Sequence, residues 1–250
     1  MHLDRLVTIL EAVAVAGQPV TPSELQKMTG IPRPTCYRLL TMLAENRLLD
    51  VPEHGMRYVI GERLLRIALL AKTDTTISSA ASPSIRDAAI EYGEAVFISR
   101  LRNDGVAIIH VETPSDPSVS YIHPGLGVRP MHACSCSKAI AAFADESFRE
   151  SILKGKMKSY TSQTQTSEEG LRKEFLEIRE RGFAECVEEI ETGVSSVAAP
   201  VFIESAGAVF SVGAIGPSRR FNTKYRDALG KNLVTLAENV AATIQSNDLV

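Results

Sequence analysis

The stretch TPSELQKMTGIPRPTCYRLLTML, residues 21–43, decides how the rest of the chain is read. Thr21-Pro22-Ser23-Glu24 is a capping box, with Thr at the N-cap, Pro at the first helical position and Glu at the third. The helix it opens runs to Met28 and stops at Gly30. Ile31-Pro32-Arg33-Pro34 then opens a second helix. Its residues Cys36, Leu39, Leu40 and Leu43 recur at helical spacing and form an apolar stripe. A short helix, a tight glycine-containing turn and a longer helix predict a helix-turn-helix.

The flanks extend this unit. On the N-terminal side, Leu3, Leu6, Val7, Leu10 and Ala14 follow i, i+3, i+4 spacing, so an amphipathic helix precedes it and ends at Gly17-Gln18-Pro19. On the C-terminal side, Leu48–Val51 and Arg57–Ile60 read as two strands around the turn Pro52-Glu53-His54-Gly55. That strand pair is the wing of a winged helix-turn-helix. With the stripe in the core, Pro34, Arg38, Thr41 and Glu45 face outward, with Thr35 and Tyr37 on the flanks.

A recognition helix of this kind enters the major groove by its N-terminal end. Arg33, Pro34, Thr35, Tyr37 and Arg38 are therefore the expected contacts to bases and flanking phosphates. Arg38 is placed for a bidentate contact with guanine. Tyr37 suits packing against the wing as well as it suits DNA. Thr21 and Ser23 begin the preceding helix, where hydroxyls and backbone N–H groups can hold a phosphate. Arg57 would meet the DNA backbone or minor groove from the wing.

The 250 residues carry a net charge of −3, with 44% hydrophobic and 23% charged residues. These values describe a globular chain and exclude a dominant disordered segment or an overall basic nucleic-acid binder. Charge is uneven, however. Residues 27–66 hold seven basic side chains against four acids. Four cysteines are too few for a disulfide scaffold, and no apolar run has the ~18 residues of a membrane span. The expected location is the cytoplasm, with no membrane association.

Glu62–Ala71 (ERLLRIALLA) is helical in composition and apolar on nearly every side, so it needs burial on several sides. Pairing with its copy in a second subunit would provide that; packing within its own chain is the alternative. Thr73–Pro83 is rich in Ser, Thr and Ala, and Pro83 discourages a helix through Ser82. The expected organisation is a winged helix-turn-helix over 1–61, a linker helix and junction over 62–82, and a second domain over 83–250.

In that second domain a helix reaches Tyr92, and Ala95–Leu101 and Val106–Val111 form a hairpin around Arg102-Asn103-Asp104-Gly105. Further strands are expected at Phe183–Val187, Ser195–Ile203 and Gly207–Ile215. Helices are expected at about Ser135–Ala144, Glu168–Arg181 and Thr223–Gln245. This is an α+β domain with a mostly antiparallel sheet.

These segments resemble the IclR family of transcriptional regulators over nearly the whole chain. GIPRPTCYRLLTML is similar to its recognition-helix segment and RYVIGERLL to the exit from its wing. MHACSCSKA is similar to its His-x-Thr-x-x-Gly-Lys-Ala stretch. RGFAECVEEIETGVSSVAAPVF and AIGPSRRF match two further motifs in order and spacing. The resemblance implies a GAF-like effector-binding domain, a dimer or dimer of dimers, and control of a catabolic operon, with repression the expected sense. Its partners would be double-stranded operator DNA, a second copy of the chain and a small-molecule effector. No other cofactor is implied.

Carried over residue by residue, the effector wall would include Met131, His132, Cys134, Ser135 and Cys136, then Cys186 and Ser196, then Gly213 and Ile215. Independently of the family, Ser135–Lys138 open a helix whose N-terminal N–H groups suit a carboxylate. The chain departs from the family at several points. Cys134 stands where Thr or Ser is common, Ser137 where Gly is usual, and Cys186 where an acid is frequent. Gly213 and Ile215 replace serine hydroxyls of some members. These changes favour a bulkier, partly apolar acid, aromatic acids included.

Other chemistries for the same residues weigh less. His132, Cys134 and Cys136 would share one face of a strand, as a metal clamp or a thiol sensor. Zinc wants four ligands, and only Cys186 offers a fourth, so no metal site is assigned. A redox-responsive regulator using Cys134 and Cys136 is the alternative function. A Cys nucleophile with His132 as base lacks a third orienting group. Glu188 and Glu189 are adjacent, point apart on a strand, and are expected to be solvated or salt-bridged. Catalysis is not expected.

Overall fold

The computed structural model describes residues 2–52, 56–103, 105–116, 121–204 and 206–246. Two turn readings, at 52–55 and 102–105, thus fall partly outside the described residues. Two compact units form, with the main break between Lys72 and Thr73.

The first unit begins with α1 (His2–Ala16), α2 (Pro22–Thr29) and α3 (Arg33–Glu45). A two-stranded antiparallel wing follows, with β1 (Leu49–Asp50) paired to β2 (Val59–Ile60), and then α4 (Glu62–Ala71). Its core is Ile9, Val13, Leu25, Cys36, Leu39, Leu40, Leu43 and Leu49, all nearly inaccessible to solvent. The stripe of α3 is as expected. The stripe of α1 is rotated: Ile9 and Val13 are buried, whereas Leu3 and Val7 are exposed. Ala14 is exposed as well. The reason is that α2 and α3 close on one side of α1 only, leaving a second apolar edge open.

Two backbone features position the wing. Arg47, in the left-handed region at φ 54°, turns the chain out of α3. Gly61 then passes so close to that turn that a Cβ would lie 2.4 Å from the Arg47 carbonyl oxygen. Only glycine permits this approach.

Packing within its own chain, the alternative for α4, does not bury the helix. Leu69 is its only buried residue, while Leu65, Ile67 and Leu70 are exposed.

The second unit opens with α5 (Asp74–Tyr92), which passes straight through Pro83. Residues 74–82, expected within the junction and not helical through Ser82, are helical. Pro83 and Ser79 are both exposed, so the Ser79 carbonyl that loses its helical N–H partner can be solvated by water. Thr73 caps the helix by accepting from the Thr76 N–H at 3.2 Å.

The sheet is β3 (Ala95–Arg102), β4 (Gly105–Glu112), β5 (Gly127–Arg129), β6 (Ala184–Val187), β7 (Val194–Ile203) and β8 (Gly207–Pro217). The order is β5-β4-β3-β8-β7-β6, antiparallel throughout. Helix α5 and the last helix, α9 (Thr223–Ser246), pack on one face. On the other lie α6 (Ser135–Phe143), then α7 (Glu146–Leu153) and α8 (Glu168–Arg181) beyond it. Because both faces are covered, β3 is buried on successive residues instead of alternating. Strand β5 and helix α7 are additions to the sequence reading. A three-residue edge strand and an eight-residue helix are too short to show a period.

Candidate functional site

In the first unit the capped helix pair presents the predicted face. Arg33, Pro34 and Arg38 are exposed on α3, with Thr35 and Tyr37 half-buried beside them. The Arg33 guanidinium sits over the Tyr37 ring, 5.6 Å from its centroid. Burial first, and then the nearby Tyr37, push the Tyr58 hydroxyl pKa up. Arg57 is exposed and donates from Nη1 to the Pro19 carbonyl at 3.1 Å, which steadies it beside the start of α2.

Thr21 is more committed than its position suggested. Its N–H and its hydroxyl both donate to Glu24 Oε2 at 2.7 Å, and the hydroxyl accepts from the Glu24 N–H. Those bonds, the backbone one first, hold the Glu24 carboxyl below the usual range. An internal carboxylate thus occupies part of the α2 N-terminus. A phosphate there would meet the exposed Ser23 first.

The second unit contains a small cavity of about 120 Å³ between the sheet and the segments 121–134 and 186–196. Phe97, Ile108, Ile122, Ile190, Val194 and Ile215 supply its apolar wall, and His123, Arg129, Cys134, Cys186, Glu191, Ser195 and Ser196 its polar one. Of the nine predicted effector positions, Cys134, Cys186, Ser196 and Ile215 line it.

The other five lie around it. Met131 packs against the core beneath α6. His132 is buried, bonded through Nε2 to the Lys158 carbonyl at 2.9 Å and stacked on Tyr160. Ser135 shares a hydroxyl–hydroxyl bond of 2.7 Å with Ser196. Cys136, in the first turn of α6, is fully buried. Gly213 is covered by the Phe97 ring: a Cβ there would lie 2.5 Å from Phe97 Cζ. Gly213 acts on the cavity indirectly, by letting Phe97 lie against β8.

Cys134 and Cys136 are not on a strand. Cys134 is the N-cap of α6 and Cys136 lies in its first turn, yet their sulphurs are 3.3 Å apart. The neighbouring sulphur and burial push the Cys134 thiol well up, against the Arg129 guanidinium, which draws it down. Burial pushes Cys186 up to about 12. These two wall thiols are therefore neutral at physiological pH. Glu188 and Glu189 lie beyond the end of β6. Glu188 takes a left-handed conformation at φ 57°, and Glu189 is buried in an ion pair with Lys138.

Arg129 was absent from the sequence reading. It lies at the end of β5, opposite Val106 of β4. Its Nη2 donates to the carbonyls of Pro124 at 2.6 Å and Gly125 at 2.7 Å. Its Nε is buried and has no hydrogen-bond partner. An unmade bond of that kind costs about 1–3 kcal/mol. Arginine after Gly-Val was a usable signal, but nothing local indicated where its side chain would go.

Comparison with known proteins agrees with this division. The IclR helix-turn-helix domain profile matches residues 2–51, and that of the bacterial transcriptional regulator IclR C-terminal domain matches residues 70–242. The glycerol operon regulatory protein of Streptomyces griseus is 29% identical over 248 residues, covering 99% of this chain and 95% of that protein. The transcriptional repressor IclR of Escherichia coli is 26% identical, covering 95% and 88%. An IclR homolog from Microbacterium hydrocarbonoxydans, solved with 4-hydroxybenzoate, shares the fold at a TM-score of 0.62 and 21% identity, covering 98% of this chain and all of that one. Its relatives regulate transcription and are not enzymes. Family matches over residues 2–51 and 70–242, on the elements that build both units, make this chain a member of the IclR family of bacterial transcriptional regulators.

Proposed function

We propose that this protein is a cytoplasmic, sequence-specific repressor of a catabolic operon, released or strengthened on its operator by a small organic acid bound in the second unit. The observation that carries the reading is the exposed Arg33–Arg38 face of α3 in one unit and a partly apolar cavity in the other. The protein acts as a dimer or dimer of dimers. The exposed Leu65, Ile67 and Leu70 of α4 are the surface that a second copy would cover, and two recognition helices would then read two half-sites. Arg38 reads guanine, while Arg33, Pro34, Thr35 and Tyr37 meet neighbouring bases and phosphates. Ser23, Thr21 and Arg57 hold the DNA backbone. The effector acts by binding two arrangements of the dimer with different affinities.

The test is a fluorescence-anisotropy titration against the upstream intergenic DNA across a salt series, with and without a panel of organic acids. A specific complex that weakens steeply with salt and shifts with one of the acids is expected. No preference over random DNA under any of these conditions would sink the reading.

The 3.3 Å sulphur contact favours a second reading, a thiol-responsive regulator. Oxidation by a peroxide would join Cys134 and Cys136, their two protons and two electrons leaving with the peroxide oxygens as two waters. Loss of two hydrogens by mass spectrometry, together with altered operator affinity, is the expected result. An unchanged mass after peroxide treatment excludes it.

A further inference from the structure

We propose that Arg129 is the anion anchor of the cavity, its Nε donating to a carboxylate of a small monocarboxylic acid whose apolar body lies against Phe97, Ile108, Ile190 and Ile215. This rests on the effector reading above and adds to it the residue, the charge count and the polarity of the ligand.

The guanidinium is held at both ends. Pairing of β5 with β4 fixes the backbone of Arg129, and the carbonyls of Pro124 and Gly125 hold Nη2. Those carbonyls satisfy one nitrogen but bring no negative charge. Among the described residues no carboxylate forms an ion pair with Arg129. Other inward cations of this unit are paired: Lys138 with Glu174 and Glu189, Arg100 with Asp74 and Arg220 with Glu94. Arg129 alone among these keeps a buried N–H unspent.

The rest of the wall supplies no counter-ion at depth. The hydroxyls of Ser195 and Ser196 are already bonded to Ser218 and Ser135. The Cys134 and Cys186 thiols are neutral, and Glu191 is exposed at the rim. The α6 N-terminus is a weaker rival, because Cys134 alone of its opening residues reaches the wall. The site thus has one fixed positive charge facing an apolar surface. That combination selects one carboxylate and rejects two, since the second would be buried against isoleucine and phenylalanine.

The test is calorimetric titration of the full-length protein with benzoate and 3-methylbutanoate, each beside its amide, and with benzene-1,4-dicarboxylate. The wild type should take at least one acid in preference to its amide by about tenfold or more, and should take the dicarboxylate worst. Arg129→Gln should weaken that acid about tenfold to a hundredfold and leave its amide unchanged, so the preference disappears. Arg129→Lys keeps the charge without the planar fork and should fall between them. It carries the test if Arg129→Gln does not fold. An acid preference that survives unchanged in either folded variant removes Arg129 and leaves the effector reading standing. A wild type that takes neither acid, or does not prefer it to the amide, overturns the anchor together with the carboxylate reading, while operator binding remains a separate question.

Discussion

Two cations, nine residues apart in sequence, lie in different surroundings. Lys138, on α6, is fully buried, with its Nζ 2.6 Å from both Glu174 Oε1 and Glu189 Oε1. Arg129, at the end of β5, is held by neutral carbonyls and keeps a free buried N–H. In the first region the charges answer one another, and the result ties α6 to α8 and to the segment after β6. In the second the charge is unanswered, and the region is a cavity. A satisfied buried charge holds a fold together; an unsatisfied one beside a void is where a ligand belongs.

The strongest way to break this contrast is Lys138→Met. It strands two carboxylates, and burial already pushes the Glu189 pKa up against the pull of Lys138. Stability to urea should fall by about 3–5 kcal/mol. Adding Glu174→Gln and Glu189→Leu should recover much of that loss, because the stranded charges go with the lysine. A Lys138→Met cost below about 1 kcal/mol would show that Glu174 and Glu189 do not need the lysine.

The next test moves to an exposed charge. Arg38→Ala should cost about 1–3 kcal/mol of operator preference, read as a ten- to hundredfold loss by anisotropy, and leave the unfolding midpoint unchanged. Retained preference would remove Arg38 from the reading face.

A third charge lies between these extremes. Burial raises the Glu112 pKa, but bonds from Ser82, Arg86 and His110 outweigh it and bring it from 4.5 down to about 2. The folded pKa is depressed, so the stabilisation is present above about pH 4.5 and is lost as pH falls towards 2. Because Arg86 is more than half exposed, solvent screening reduces the value to about 1 kcal/mol. Glu112→Gln should cost that much at pH 7 and almost nothing at pH 2, measured by denaturant unfolding at both. An equal cost at both would show that the ionised form is not what matters. The smallest effect is expected from Arg57→Ala, which should weaken all DNA sequences alike and lower the salt slope by about 1.

Legibility followed the same division. The exposed face of α3 was readable because its residues are successive positions on one helix. Its orientation follows from four apolar residues spaced three and four apart, and its start from a capping box. The cavity was readable only in part. Cys134, Cys186, Ser196 and Ile215 came from motif resemblance, and each sits on a different element. Arg129 was missed because β5 is a short edge strand whose place depends on β4. Pro83 misled because its local effect is to end a helix, and only packing shows that it lies on the solvent side of α5. The same holds for α1, whose apolar spacing allowed two faces until α2 and α3 covered one.

Local spacing, caps and turns were enough to point to a winged helix-turn-helix, an α+β second unit and the exposed face of α3, while the family came from motif resemblance. These rest on contacts three or four residues apart, which a linear string displays. The cavity's charge balance, the pairing of Lys138, the sulphur contact at α6 and the unspent N–H of Arg129 came from folding. They depend on which strand lies beside which, and on partners distant in sequence, such as Ser135 and Ser196, 61 residues apart. Contacts of that range are set by the packing of whole elements, and no local pattern in the chain encodes them.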